Sequence, residues 1–219
     1  MPLFIMVCEG RSERAYLQRL QSFLDNETEC WPVPLQFIPR LPVGGDGLEQ
    51  GGGYYANILK CFKSERKKNR KSRIEVWVDD DIYVREDGER ERENRASYLA
   101  KLGSIPDFHF SFHNFEDFLA LHLDDAAIQR WHAAFDLAHV SRPLHSQDYL
   151  PLYEAVFPGY RKGDVPPDFI TRDSLSRLKA RLDRPLVPTA VEPSFCSFAH
   201  FLIEQIDAAF PSLLASPNS

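Results

Sequence analysis

Val76-Trp77-Val78-Asp79-Asp80-Asp81 decides the reading of the fold, because an apolar strand here ends abruptly in three carboxylates. Such an ending places the acids at the carboxyl edge of a sheet, where open α/β proteins bind their ligands. Side chains alternate along an extended chain, so Asp79 and Asp81 point one way and Asp80 the other. Adjacent carboxylates repel unless a proton or a cation lies between them, and a hard, oxygen-seeking ion such as Mg²⁺ or Mn²⁺ is the natural partner. A solvated acidic turn or a helix N-cap would explain one such run standing alone. Acids at two further strand ends shift the weight toward a metal.

Working outward, Leu3–Cys8 reads as a buried strand and Glu9–Ser12 as a turn, with Ser12 the N-cap of a helix from Glu13 to about Leu24. Leu35–Arg40 is a second expected strand. The glycines of 44–53 follow it; their spacing matches neither GxGxxG nor a Walker sequence, and they read as a mobile loop beside the site, with phosphate contact as the other option. Next come a helix over 54–67, a strand over Ile74–Val78 and a charged helix carrying Glu89, Arg92 and Leu99. A fourth strand, Phe108–Phe112, and a short amphipathic helix, Phe115–Leu123, complete this part. Strands alternating with helices predict a parallel α/β sheet with helices on both faces. Beyond it the pattern is helical throughout, over Ala126–Leu137, Gln147–Val156, Ser174–Leu182 and Phe195–Phe210. The expected organisation is an α/β domain over 1–125, a helical C-terminal subdomain over 126–214 and a disordered tail at 215–219.

The 219 residues are 43% apolar and 26% charged, as in ordinary globular proteins, and suffice to bury a core. No apolar run reaches bilayer-spanning length, and Met1–Cys8 runs into Glu9 without a basic leader, so it reads as a strand and not as a signal peptide. No membrane partner is expected. Cys8, Cys30, Cys61 and Cys196 are scattered without a CxxC pair, which predicts reduced thiols, a cytoplasmic location and no zinc site. The net charge of −6 does not itself recommend nucleic acid, but it is unevenly spread. Lys63, Lys67, Lys68, Arg70, Lys71 and Arg73 crowd one segment. Two readings stand for it: a patch that contacts phosphates with salt-dependent affinity, or a solvated helix end whose cations complement the helix dipole.

Three strand ends of one parallel sheet each deliver acid to the same edge: Glu9 after the first strand, Asp79 and Asp81 after the third, and Glu116 shortly after the fourth. Gly10 lets the chain turn sharply behind Glu9. Glu13, one helical turn on, either projects toward the same place or serves as a capping acid. His122 is expected as a satisfied helix histidine, and Phe108, Phe110, Phe112, Phe115 and Phe118 as core.

Cys8-Glu9-Gly10-Arg11-Ser12-Glu13 resembles the EG signature that opens topoisomerase–primase (TOPRIM) domains, and Asp79-Asp80-Asp81 resembles their DxD motif. Asn114-Phe115-Glu116-Asp117-Phe118-Leu119-Ala120-Leu121-His122 and Tyr160-Arg161-Lys162 are similar to later segments of the RloB-like group. That group is related to the OLD-family nucleases and linked to bacterial anti-phage defence. The likeness runs through 3–125 and more thinly beyond, where Ser194-Phe195-Cys196-Ser197-Phe198 also matches.

The resemblance implies a TOPRIM-like, Rossmann-like α/β domain with a helical C-terminal cap, engaged in Mg²⁺- or Mn²⁺-dependent phosphoryl transfer, above all cleavage of DNA or RNA. It implies Glu9, Asp79, Asp81 and Glu116 as metal ligands, Glu9 also as general acid or base, and Glu13 and Asp80 behind them. Because the middle acid of the DxD is itself acidic here, which pair binds metal stays open. Lys162 would neutralise a phosphate oxygen in the transition state; a plain surface lysine is the other reading. Family nucleases often work with an ATPase, and nothing in this chain resembles one, so a separate ATPase protein is an expected partner. A non-catalytic module binding a nucleotide or a partner, and a phosphoesterase acting on a small nucleotide, are the alternatives.

Overall fold

The computed structural model describes residues 2–27, 33–43, 55–79, 108–111, 115–138, 150–151, 154–156, 159–166, 168–183 and 196–214. The glycines of 44–53, Asp80, Asp81, the charged helix expected after Glu89, His113 and the tail at 215–219 lie outside them.

Four strands, β1 (Leu3–Cys8), β2 (Gln36–Arg40), β3 (Arg73–Val78) and β4 (Phe108–Phe110), form one parallel sheet in the order β2-β1-β3-β4. Phe4 faces Phe37 on one side and Arg73 on the other, and Cys8 faces Trp77. After Leu3 every residue of β1 is buried. A strand with no polar face must be central and covered on both sides. The cover comes from α1 (Arg11–Glu27) and α2 (Tyr55–Lys68). Both are crossovers between parallel strands, and the right-handed rule puts them on opposite faces, since one leads outward to β2 and the other back across β1 to β3. Helix α1 buries Tyr16, Leu17, Leu20 and Leu24, an apolar stripe at helical spacing. Tyr16 meets Trp77 edge-on at 5.9 Å. Pro39 removes a ladder donor, which β2 tolerates as the edge strand.

One polar group interrupts the apolar interior of β3. Glu75 is 1% exposed, and its two oxygens pair with Arg73 at 3.2 Å and with His109 of β4 at 3.0 Å. The Arg73 guanidinium also lies 4.8 Å over the Phe4 ring. A buried carboxylate costs several kcal/mol unless paired, so this cluster helps to fix β4 beside β3.

The chain divides into two compact units. One holds the residues up to Val78 with Phe108, His109 and Gly163–Val165; the other holds Asp79, Phe110 through Lys162, and the chain from Pro166. The second unit contains α3 (Phe115–Ala120), α4 (Asp125–Ala138), α5 (Arg172–Asp183) and α6 (Ser197–Ala209), with further helical residues at 150–151 and 154–156. Its core is aromatic: Phe118 meets Phe198 at 5.4 Å and His122 at 5.3 Å, and Trp131 is fully buried. Arg177 and Arg181 of α5 donate to the carbonyls of His122 and Leu121, in the turn that follows α3. Among the described residues no helix is long and apolar enough to cross a membrane, and Cys8, Cys61 and Cys196 form no disulfide.

Candidate functional site

Strand β1 ends at Cys8, and the Glu9 N–H still donates to the Trp77 carbonyl at 3.1 Å. That bond holds the Glu9 backbone beside β3, two residues short of Asp79 in the chain. Asp79 follows β3 immediately and is half-buried, as is Glu9. The sheet order gives this edge its meaning. From β1 the chain crosses to β2 on one side, and from β3 it goes on to β4 on the other. The carboxyl ends of β1 and β3 therefore flank the topological switch point, where open α/β sheets leave a crevice for ligand.

Behind Glu9 the turn differs from expectation. Helix α1 begins at Arg11, so Ser12 lies inside its first turn and is not the N-cap. Gly10 precedes the helix, and its N–H donates to the Glu13 carboxylate at 3.0 Å. Glu13, only 3% exposed, thus acts as the reaching-back acid of a capping box. The Ser12 hydroxyl accepts the N–H of Gly163 at 3.1 Å. Gly163 has φ 85°, a left-handed conformation that other residues adopt only with strain. Burial, and then the nearby Glu13 charge, hold the Cys8 thiol well above the usual range. Cys61 is likewise pushed up to about 11, by burial and then by Glu65.

In the second unit Glu116 is the second residue of α3 and is 3% exposed. Tyr160 donates its hydroxyl proton to Glu116 Oε1 at 3.2 Å. Two segments singled out in the sequence, around Glu116 and Tyr160-Arg161-Lys162, therefore meet. Asp117 beside Glu116 is fully buried, a second acid in the first turn that sequence reasoning passed over. Lys162 and Arg161 are exposed, and Lys162 precedes the Gly163 anchor.

The basic run forms the last turn of α2 and the connection to β3. Lys63, Lys67, Lys68, Arg70 and Lys71 are exposed. Lys68 approaches buried Glu65 at 3.3 Å, and the Asn69 side chain donates to the same carboxylate at 3.0 Å. Arg73 is committed to Glu75 and Phe4.

Asp81, a predicted ligand, and Asp80 lie outside the described residues. Among the described residues no group of three or more His, Cys, Asp or Glu side chains is gathered closely enough to hold a metal ion. The predicted donors Glu9, Asp79 and Glu116 are all carboxylates, a donor chemistry that suits Mg²⁺ or Mn²⁺ and not a thiol-seeking metal. Compared with family models, with curated proteins and with solved structures, the chain shows no match.

Proposed function

We propose that this chain is a TOPRIM-like phosphodiesterase that uses Mg²⁺ or Mn²⁺ to cleave nucleic acid, in the setting of bacterial anti-phage defence. The observation that carries the reading is the placement of Glu9 and Asp79 directly after the two strands that flank the switch point of a parallel sheet. In this reading Glu9, Asp79, Asp81 and Glu116 hold the ion, which when bound neutralises phosphate charge and acidifies water. Glu9 takes the proton of the attacking water. Tyr160 fixes the orientation of the Glu116 carboxylate through its hydroxyl. Lys162, on an exposed turn, meets a non-bridging phosphate oxygen. A separate ATPase would supply any energy-dependent gating.

The test is cleavage of end-labelled single- and double-stranded DNA and of tRNA with Mg²⁺ or Mn²⁺. Cutting that stops with EDTA is the expected result. Failure on every substrate with either ion would leave the non-catalytic module as the better reading, whereas hydrolysis confined to small phosphodiesters would point to the nucleotide phosphoesterase.

The exposed cations at the end of α2 and in the turn after it bear on the substrate. Lys67→Glu/Lys68→Glu/Arg70→Glu is expected to weaken nucleic-acid binding by about 100-fold at low salt and to flatten its salt dependence by roughly one unit of log–log slope per lost phosphate contact. Binding titrations over a salt series check this. Unchanged affinity would reduce the run to a solvated helix end.

A further inference from the structure

We propose that the helical unit carries a second ligand site, which binds the phosphomonoester end of a nucleotide in the cavity where α4 and α5 begin. This inference is independent of the carboxylate site. The cavity has a volume of about 190 Å³, and Arg130 of α4 and Arg177 of α5 both line it. Arg177 is anchored by its Nε, which donates to the His122 carbonyl at 2.9 Å, leaving the outer edge of the fork for a ligand. Among the described residues neither Arg130 nor Arg177 makes an ion pair. Two guanidinium groups lining one cavity match a phosphate, which they engage through paired N–H donors, although the Asp124 charge is near enough to interact with both.

The other walls narrow the ligand class. Phe169 and His122 present rings 5.2 Å apart. His122 is held neutral there, since burial and the Arg177 and Arg181 charges pull it down to about 3. An uncharged ring surface of this kind suits a sugar or base and adds no attraction for phosphate. The backbone donors at the helix starts are largely used: Ala127 donates to Asp124 at 2.7 Å, and Thr171 and Ser174 cap α5 reciprocally at 2.9 and 3.1 Å. The arginines, and not the helix ends, must therefore carry the recognition. Asp124 and Asp168 also line the cavity and offset the two cations. A single phosphate is favoured over a triphosphate for that reason, and exposed Asp168 can accept from a ribose hydroxyl or an exocyclic amine.

The ligand is either a free mononucleotide or the 5′-phosphate end of a strand, and titration calorimetry on the full chain separates them. The probes are adenosine 5′-monophosphate, adenosine, ATP, and a short single-stranded oligonucleotide with and without a 5′-phosphate, all in EDTA so that divalent ions play no part. The monophosphate should bind at least about tenfold more tightly than adenosine, and Arg130→Gln should remove about tenfold of its affinity. Arg130 is exposed, so this variant should keep the wild-type melting temperature; Arg177→Gln should behave alike in binding. A 5′-phosphate preference in the oligonucleotide identifies a strand end, and binding of the mononucleotide alone identifies a free nucleotide. Equal affinity for monophosphate and adenosine, no binding of any probe, or binding untouched by Arg130→Gln would overturn the proposal.

Discussion

Glu9→Ala and Asp79→Ala are each expected to lower metal-dependent cleavage by on the order of 1000-fold while leaving the melting temperature close to wild type. The size follows from what a carboxylate does at such a site. A bound divalent ion contributes several kcal/mol to stabilising charge in the transition state, and each 1.36 kcal/mol is tenfold in rate. The small effect on stability follows from position. Both side chains are half-buried at a strand end, and alanine there leaves no large void in the core. Glu116 is different: it is 3% exposed and accepts from Tyr160, so Glu116→Ala would strand a buried hydroxyl at a cost of about 1–3 kcal/mol. Glu116→Gln keeps an acceptor and is the cleaner variant. Calorimetric Mn²⁺ titration beside the cleavage assay completes the test. Wild-type ion affinity and cleavage in both Glu9→Ala and Asp79→Ala would sink the proposed metal site.

The strand-end acids were legible in sequence because each is a local pattern: an apolar run, then a carboxylate. Leu3–Cys8 and Ile74–Val78 were read to within a residue for the same reason. The switch point was not legible, because the order β2-β1-β3-β4 is set by pairings between distant segments. Glu75 was missed on similar grounds. A charge inside an apolar strand makes sense only with its partners, and His109 lies on another strand. At the start of α1, Ser12 and Glu13 were both reasonable capping residues, and the competition was decided by Gly10, whose N–H needed an acceptor that Glu13 supplies. Strand β4 is described over Phe108–Phe110, and Phe112, where the aromatic run places its end, lies outside the described residues. The meeting of Tyr160 with Glu116 joins segments 44 residues apart, and no local pattern announces it.

Acid is expected to destabilise the helical unit through His122, and His122→Leu to remove that part of the acid sensitivity. His122 is 1% exposed, enclosed by Phe118 and Phe169, with Arg177 and Arg181 bonded to the carbonyls beside it. Burial, then the two arginine charges, pull its pKa from 6.5 down to about 3, against a smaller opposing hydrogen bond with the Ser174 backbone. The folded pKa therefore lies below the unfolded one. As pH falls through 6.5 the unfolded chain takes up a proton that the folded chain refuses until pH approaches 3, so stability is full above that window and drains away within it. By about pH 4 the loss amounts to roughly 3 kcal/mol, a large share of an ordinary domain's stability. In His122→Leu the acid-side decline from this residue disappears, so the difference between the two stability curves changes steadily in favour of the variant as pH falls. Carboxylates such as Asp124, whose pKa is held below its ordinary value by the Ala127 N–H, contribute equally to both proteins and cancel in the comparison. Urea unfolding of both from pH 7.5 to 3.5 measures the difference directly. Parallel curves across that range would mean that His122 takes up its proton without unfolding, and that the arginines beside it yield to accommodate the charge.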